Sequence, residues 1–78
     1  PNPFNPSTTI KYSLAENGNV KLLVYNILGE VVRTLVNNLQ KAGRYEVTFD
    51  ASNFASGVYM YRLEAQKYSS IKKMILIK

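Results

Sequence analysis

The chain contains no cysteine and no histidine. The first absence excludes disulfides, thiolate nucleophiles and cysteine-ligated metals. The second removes the commonest general base and metal ligand. Carboxylates are also scarce, with five acids against ten bases and a formal net charge of +5. Those acids stand apart in the sequence, whereas paired-carboxylate catalysis needs two held roughly 5–10 Å apart in a cleft. Ser56-Gly57 has no histidine to activate its hydroxyl. Asp50-Ala51-Ser52-Asn53 offers a single carboxylate where a calcium site uses several, so Asp50 reads as a residue that caps a turn through its own backbone. No enzyme activity, catalytic residue, cofactor or metal site is expected.

Long hydrophobic runs are missing too. Nothing approaches the roughly 20 apolar residues of a membrane-spanning helix, so no transmembrane segment is expected. The opening PNPFNPSTT has neither the basic start nor the apolar stretch of a signal peptide. If the domain is exported, its signal lies upstream of Pro1, in a longer protein of which this chain is expected to be a piece. A chain without cysteine is compatible with cytosol, periplasm or cell surface.

What is present is a period of two. Thr8, Ile10, Tyr12 and Leu14 alternate with polar neighbours, which predicts a half-buried strand. Asn17-Gly18 suits a tight hairpin turn. Residues 20–25 form a strand apolar on both sides, hence central. Asn26 and Gly29 mark the ends of a turn, residues 30–36 return, and Asn37-Asn38 breaks the strand. Residues 44–49 alternate cleanly. Residues 50–57 form a polar loop with Phe54 looking inward, and residues 58–66 and 71–78 make a last hairpin around residues 67–70. With a possible extra strand at residues 39–41, the pattern predicts an all-β fold, a small antiparallel immunoglobulin-like β-sandwich of about seven strands. Its core is expected from Ile10, Leu14, Val20, Leu22, Val24, Val47, Phe49 and Leu63. Pro1, Pro3 and Pro6 make residues 1–7 an extended lead-in, with the sandwich in residues 8–78.

The positive charge is uneven. Residues 1–61 carry five bases and four acids, while residues 62–78 carry five bases and one acid. This asymmetry suits an anionic partner for the end of the chain, or an edge strand that charge protects from aggregation. Tyr59 and Tyr61 share one face of their strand, with Tyr25 and Tyr68 expected near them. Such a platform can bind sugars or single-stranded nucleic acid, yet tyrosine is also an ordinary strand residue. Bases crowded at one terminus do not suit an oligonucleotide groove, so no nucleic-acid partner is expected.

Five phrases occur in fixed order: Asn2-Pro3-Phe4-Asn5-Pro6, Val24-Tyr25-Asn26 with Gly29, Ala42-Gly43, Ser56-Gly57-Val58-Tyr59, and Lys73-Met74-Ile75-Leu76-Ile77-Lys78. Together they resemble the type A C-terminal sorting domain of the type IX (Por) secretion system, over essentially the whole chain. Met60 stands where many relatives have an aromatic, and Phe49 where many have tryptophan. The resemblance implies a non-catalytic signal, with Gly57, Tyr59, Lys73, Met74 and Lys78 as the residues of sorting-signal recognition. It also implies a covalently linked upstream cargo domain, exported through the periplasm to the outer membrane and on to the cell surface or medium. The partners so implied are the translocon and a surface cysteine peptidase with sortase-like activity, which removes the domain and joins the cargo to lipopolysaccharide.

A terminal edge strand fits that role, because its unpaired backbone groups and its side chains can both be read. Two other readings remain open. One is an accessory sandwich that binds carbohydrate or cell-wall polymer. The other is a spacer, like the immunoglobulin-like domain of the flagellar hook-capping protein.

Overall fold

The computed structural model describes residues 6–78, and most of the proline-rich lead-in lies outside them. Six strands follow one another: β1 (Ser7–Leu14), β2 (Gly18–Tyr25), β3 (Val31–Gln40), β4 (Gly43–Asp50), β5 (Gly57–Ala65) and β6 (Tyr68–Leu76). All pairings are antiparallel, and they make a two-stranded sheet, β1-β4, and a four-stranded sheet, β3-β2-β5-β6. The all-β antiparallel sandwich is as the sequence predicts. The strand apolar on both faces, β2, lies inside the larger sheet as expected.

The alternation of β1 explains why it seals the sandwich. Thr8, Ile10, Tyr12 and Leu14 are buried while Ser7, Lys11 and Ser13 face water. Opposite them, Val20, Leu22 and Val24 are at most 1% exposed, and Phe49, Leu63, Met74 and Leu76 complete the core. Val47 is only half-buried, though it packs against the core. A polar tie joins the layers: the Tyr12 hydroxyl of β1 donates to Gln40 Oε1 of β3 at 2.6 Å, and its ring stacks on Tyr45 at 5.3 Å. Burial raises the Tyr12 phenol above its ordinary value, against the lowering effect of Gln40.

Three expectations are corrected. Asn37-Asn38 does not break the chain, since β3 runs through both residues, opposite Lys21 and Val20. Residues 39–40 therefore extend β3, so the described residues form six strands and not seven. A ladder formed with β2 satisfies their backbone and overrides a weak local preference. Asn17-Gly18 is not a hairpin turn, because β1 and β2 belong to different sheets. The turn signal marks where the chain changes direction, and here it crosses between layers; Asn17 Oδ1 accepts from the Ala42 amide at 2.8 Å. The last hairpin turns earlier than expected, with Tyr68 already in β6.

By contrast, the Asn26–Gly29 turn forms as expected. Gly29 has a φ of 82° and its amide donates to the Asn26 carbonyl at 3.0 Å. Asn26 Oδ1 accepts from the amides of Leu28 and Glu30, the local bonding that suits asparagine to turns. Beyond the turn, the β2–β3 register slips twice, skipping Leu35 and Val32. Such bulges re-aim side chains, and both skipped residues pack against the core.

Leu22 is fully buried in β2. Truncation of such a side chain costs about 2–5 kcal/mol, a large share of a small domain's stability. Denaturant unfolding of Leu22→Ala should show a loss of this size; a midpoint equal to the parent's would disprove the packing.

Candidate functional site

The β5–β6 hairpin carries four of the five residues expected in the signal, and Lys78 lies just beyond it. Gly57 opens β5 opposite Leu76, with a φ of 153°. A Cβ added there meets nothing within 4 Å. Glycine is required at this position by backbone conformation rather than by space.

Two residues on, Tyr59 faces Met74 across the ladder. Both point into the core, at 8% and 0% exposure. The Tyr59 hydroxyl donates to the Ala55 carbonyl at 2.7 Å. Its ring packs on Phe54 at 5.9 Å, and Phe54 packs on Phe49 at 5.6 Å. The Arg33 guanidinium covers Phe54 at 5.2 Å. Phe54 does look inward, as expected, and this aromatic row seats the loop at residues 51–56.

Lys73 lies one step along β6, opposite Met60, and is exposed. Strand alternation puts it on the outer face with Ile71 and Ile75. Ile71 is 56% exposed and Ile77 50%. Arg62 of β5 sits over the Tyr25 ring at 5.8 Å and pairs with Glu64 at 3.3 Å, an exposed ion pair of small energetic weight. Because the larger sheet ends at β6, one side of that strand is unpaired among the described residues.

Lys78 behaves differently. Its Nζ donates to the Ser52 carbonyl, and its amide donates to Ser56 Oγ at 3.1 Å. The end of the chain is thereby clasped to the loop between β4 and β5. Asp50 caps that loop as expected, accepting from the Ser52 amide at 3.0 Å. The hydrogen bonds from Ser52 hold its carboxyl below the ordinary value, and the charges of Arg33 and Lys78 act in the same direction. Sequence reasoning missed Ser52 and Ser56, whose partner is 26 and 22 positions away. No local pattern marks such a contact.

The structure thus brings the five residues into one hairpin and its extension, with different exposures. Tyr59 and Met74 are interior, Gly57 shapes the backbone, Lys73 is presented, and Lys78 is exposed but tethered. The bases of the tail are dispersed, since Lys72 and Lys73 project from opposite faces of β6. Nor do the tyrosines form one platform: Tyr59 is buried, and Tyr25 lies on the opposite face of the larger sheet from Tyr59 and Tyr61. No helix among the described residues is long and apolar enough to cross a membrane.

A family model described as a secretion system C-terminal sorting domain matches residues 1–78, the whole chain. The chain belongs to this family. The resemblance carried by its five phrases is borne out, and the sorting domain's general role is that of a C-terminal signal for type IX secretion. No curated protein matches the chain. Among solved structures, the sorting domain is similar to the Ig1 domain of mouse SynCAM 2, known from a crystal structure. The identity is 12% and the TM-score 0.49, over 96% of this chain and 86% of that one. The assignment of the fold rests on the strand pairing itself.

Replacement of Gly57 should strain the backbone without creating a clash. A residue held in a sparsely populated conformation costs on the order of 1–3 kcal/mol. Gly57→Ala should lower the melting midpoint by an amount corresponding to that range; an unchanged midpoint would show that the conformation is not required.

Proposed function

We propose that the sorting domain is read through the outer face and free edge of β6, with Lys73 as the recognised charge, while Gly57, Tyr59 and Met74 hold that strand in place. The observation that carries this reading is the exposure of Lys73 and Ile71 on an edge strand whose alternate residues, Met74 and Leu76, are at most 1% exposed. An edge strand offers backbone groups for strand addition, and its outward side chains supply specificity. Lys78 acts at the end of the same strand, where its clasp on Ser52 and Ser56 orients the last residues.

In this reading the upstream cargo domain, joined through residues 1–7, passes with the sandwich of residues 8–78 from the periplasm to the outer membrane. The type IX translocon recognises the folded sandwich there. A surface cysteine peptidase with sortase-like activity then removes it, leaving the cargo on the cell surface or in the medium. The domain contributes an address and no chemistry of its own. Family membership and the scarcity of catalytic side chains both support that division of labour.

The test is export of a fused reporter in a bacterium that has this secretion system. Deleting residues 74–78 would remove two core side chains, Met74 and Leu76, so retention of that variant would not separate misfolding from lost recognition. Lys73→Ala avoids the difficulty, because exposed substitutions usually change stability by no more than about 0.5 kcal/mol. The variant should melt like the parent yet leave most of the reporter in the cell envelope. Normal surface display of Lys73→Ala, Ile71→Ser and Lys78→Ala would contradict recognition through this strand.

A further inference from the structure

A second free edge has different surroundings. Strand β1 pairs with β4 on one side, and among the described residues no strand pairs with its other side. Beside it runs a groove of about 480 Å³. Residues 10–14 line it consecutively, from both the inward and the outward faces of β1. No residue of β4 lines it, so the groove lies on the side of β1 away from its partner strand, against the unpaired edge.

Opposite β1 the groove is bounded by Tyr61 and Leu63 of β5 and by Ser70 and Lys72 of β6. The core-facing side of β6 is sealed at Met74 and Leu76 but open at its start, where Tyr68 is 57% exposed and Lys72 is exposed. The two-stranded sheet thus leaves part of the four-stranded sheet uncovered. Strands in a sheet lie about 4.7–4.9 Å apart, so one more strand beside β1 would lie over this opening.

The one charged side chain of β1 is Lys11, which repels a cationic strand and attracts an acidic one. The register of β1 against β4 runs unbroken from Ser7↔Asp50 to Leu14↔Gly43, without the bulges that twist edges away from pairing. The charges around the groove are Lys11, Lys67 and Lys72 against Glu16. Their balance is positive, as is the chain's net charge of +5, which disfavours a second copy and favours an anionic occupant.

We propose that the free edge of β1 is a strand-addition site for an extended, acidic and alternately apolar segment of a partner protein, which occupies the groove and extends the two-stranded sheet to three strands. The apolar side chains of the segment face Tyr61 and Leu63. Its carboxylates, on the other face, neighbour Lys11, and Lys67 and Lys72 add positive field from beyond. The site is on the opposite face of the larger sheet from Lys73, and the inference does not rest on the sorting reading.

The probe is a capped peptide of alternating valine and glutamate about seven residues long, matched to an ordinary strand, with a valine–lysine peptide as its counterpart. Titration into the isotope-labelled domain should give saturable binding of the acidic peptide alone. Amides of β1 should gain protection from hydrogen exchange. Lys11→Glu with Lys67→Glu should weaken binding by about tenfold or more, while Lys21→Glu with Lys73→Glu, of equal net charge, should change it by less than about twofold. Lack of saturation up to about 1 mM would overturn the proposal. So would equal weakening by both pairs, which would mean that net charge alone acts. Protection appearing on β6 instead of β1, or dimerisation of the domain through β1, would also overturn it.

Discussion

Tyr59 and Met74 face each other across the β5–β6 ladder, and both side chains point into the core. This cross-strand pair fixes which residues of the last strand are seen and which are hidden. The side-chain period of a strand is two, so a slip of one residue would turn Met74 and Leu76 to solvent and Lys73 inward. Burial of two large apolar side chains makes that slip costly, at roughly 1.5–3 kcal/mol for each fully buried side chain of this kind. The Tyr59 hydroxyl adds a bond to Ala55, which ties the hairpin to the loop that Lys78 grips at Ser52 and Ser56.

The mixed character of the end of the chain follows from this arrangement. Met74 and Leu76 belong to the core, Ile71 and Lys73 belong to the surface, and one strand carries both. A motif such as Lys73-Met74 therefore combines two demands in neighbouring residues, one for presentation and one for anchoring. The same division separates the tail bases. Lys72 borders the groove beside β1, Lys73 stands on the outer face, and Lys78 folds back on a loop. A concentration of charge in the sequence is here three local environments in space.

Much of the fold was legible because alternation survives in the folded state. Ile10, Leu14, Val20, Leu22, Val24, Phe49 and Leu63 are buried where the period of two puts them. Val47 follows the same pattern yet is only half-buried, since alternation gives the face of a strand and not the depth of burial. Asn37-Asn38 misled because a strand partner, residues Lys21 and Val20, supplies what local preference lacks. Asn17-Gly18 misled for the opposite reason: a turn signal reports a change of direction and not which strand the chain meets next. In the hairpin, the five phrases pointed to Gly57, Tyr59, Lys73, Met74 and Lys78 without distinguishing interior from exterior. Alternation lets half of residues 74–77 face inward, and the pairing shows that Met74 and Leu76 do. The clasp of Lys78 could not be foreseen, since it joins residues far apart in sequence through a backbone carbonyl and a serine hydroxyl.

The absence of cysteine makes the central division directly measurable, because an introduced thiol is the only one in the chain. In the folded domain, Lys73→Cys should react with a small maleimide at nearly the rate of a free peptide thiol. Met74→Cys should react only through opening of the structure, slower by orders of magnitude even in a marginally stable domain. Denaturant should bring the two rates together. Equal rates in the native domain, or faster labelling at position 74, would contradict the assignment of Met74 to the core and Lys73 to the presented face.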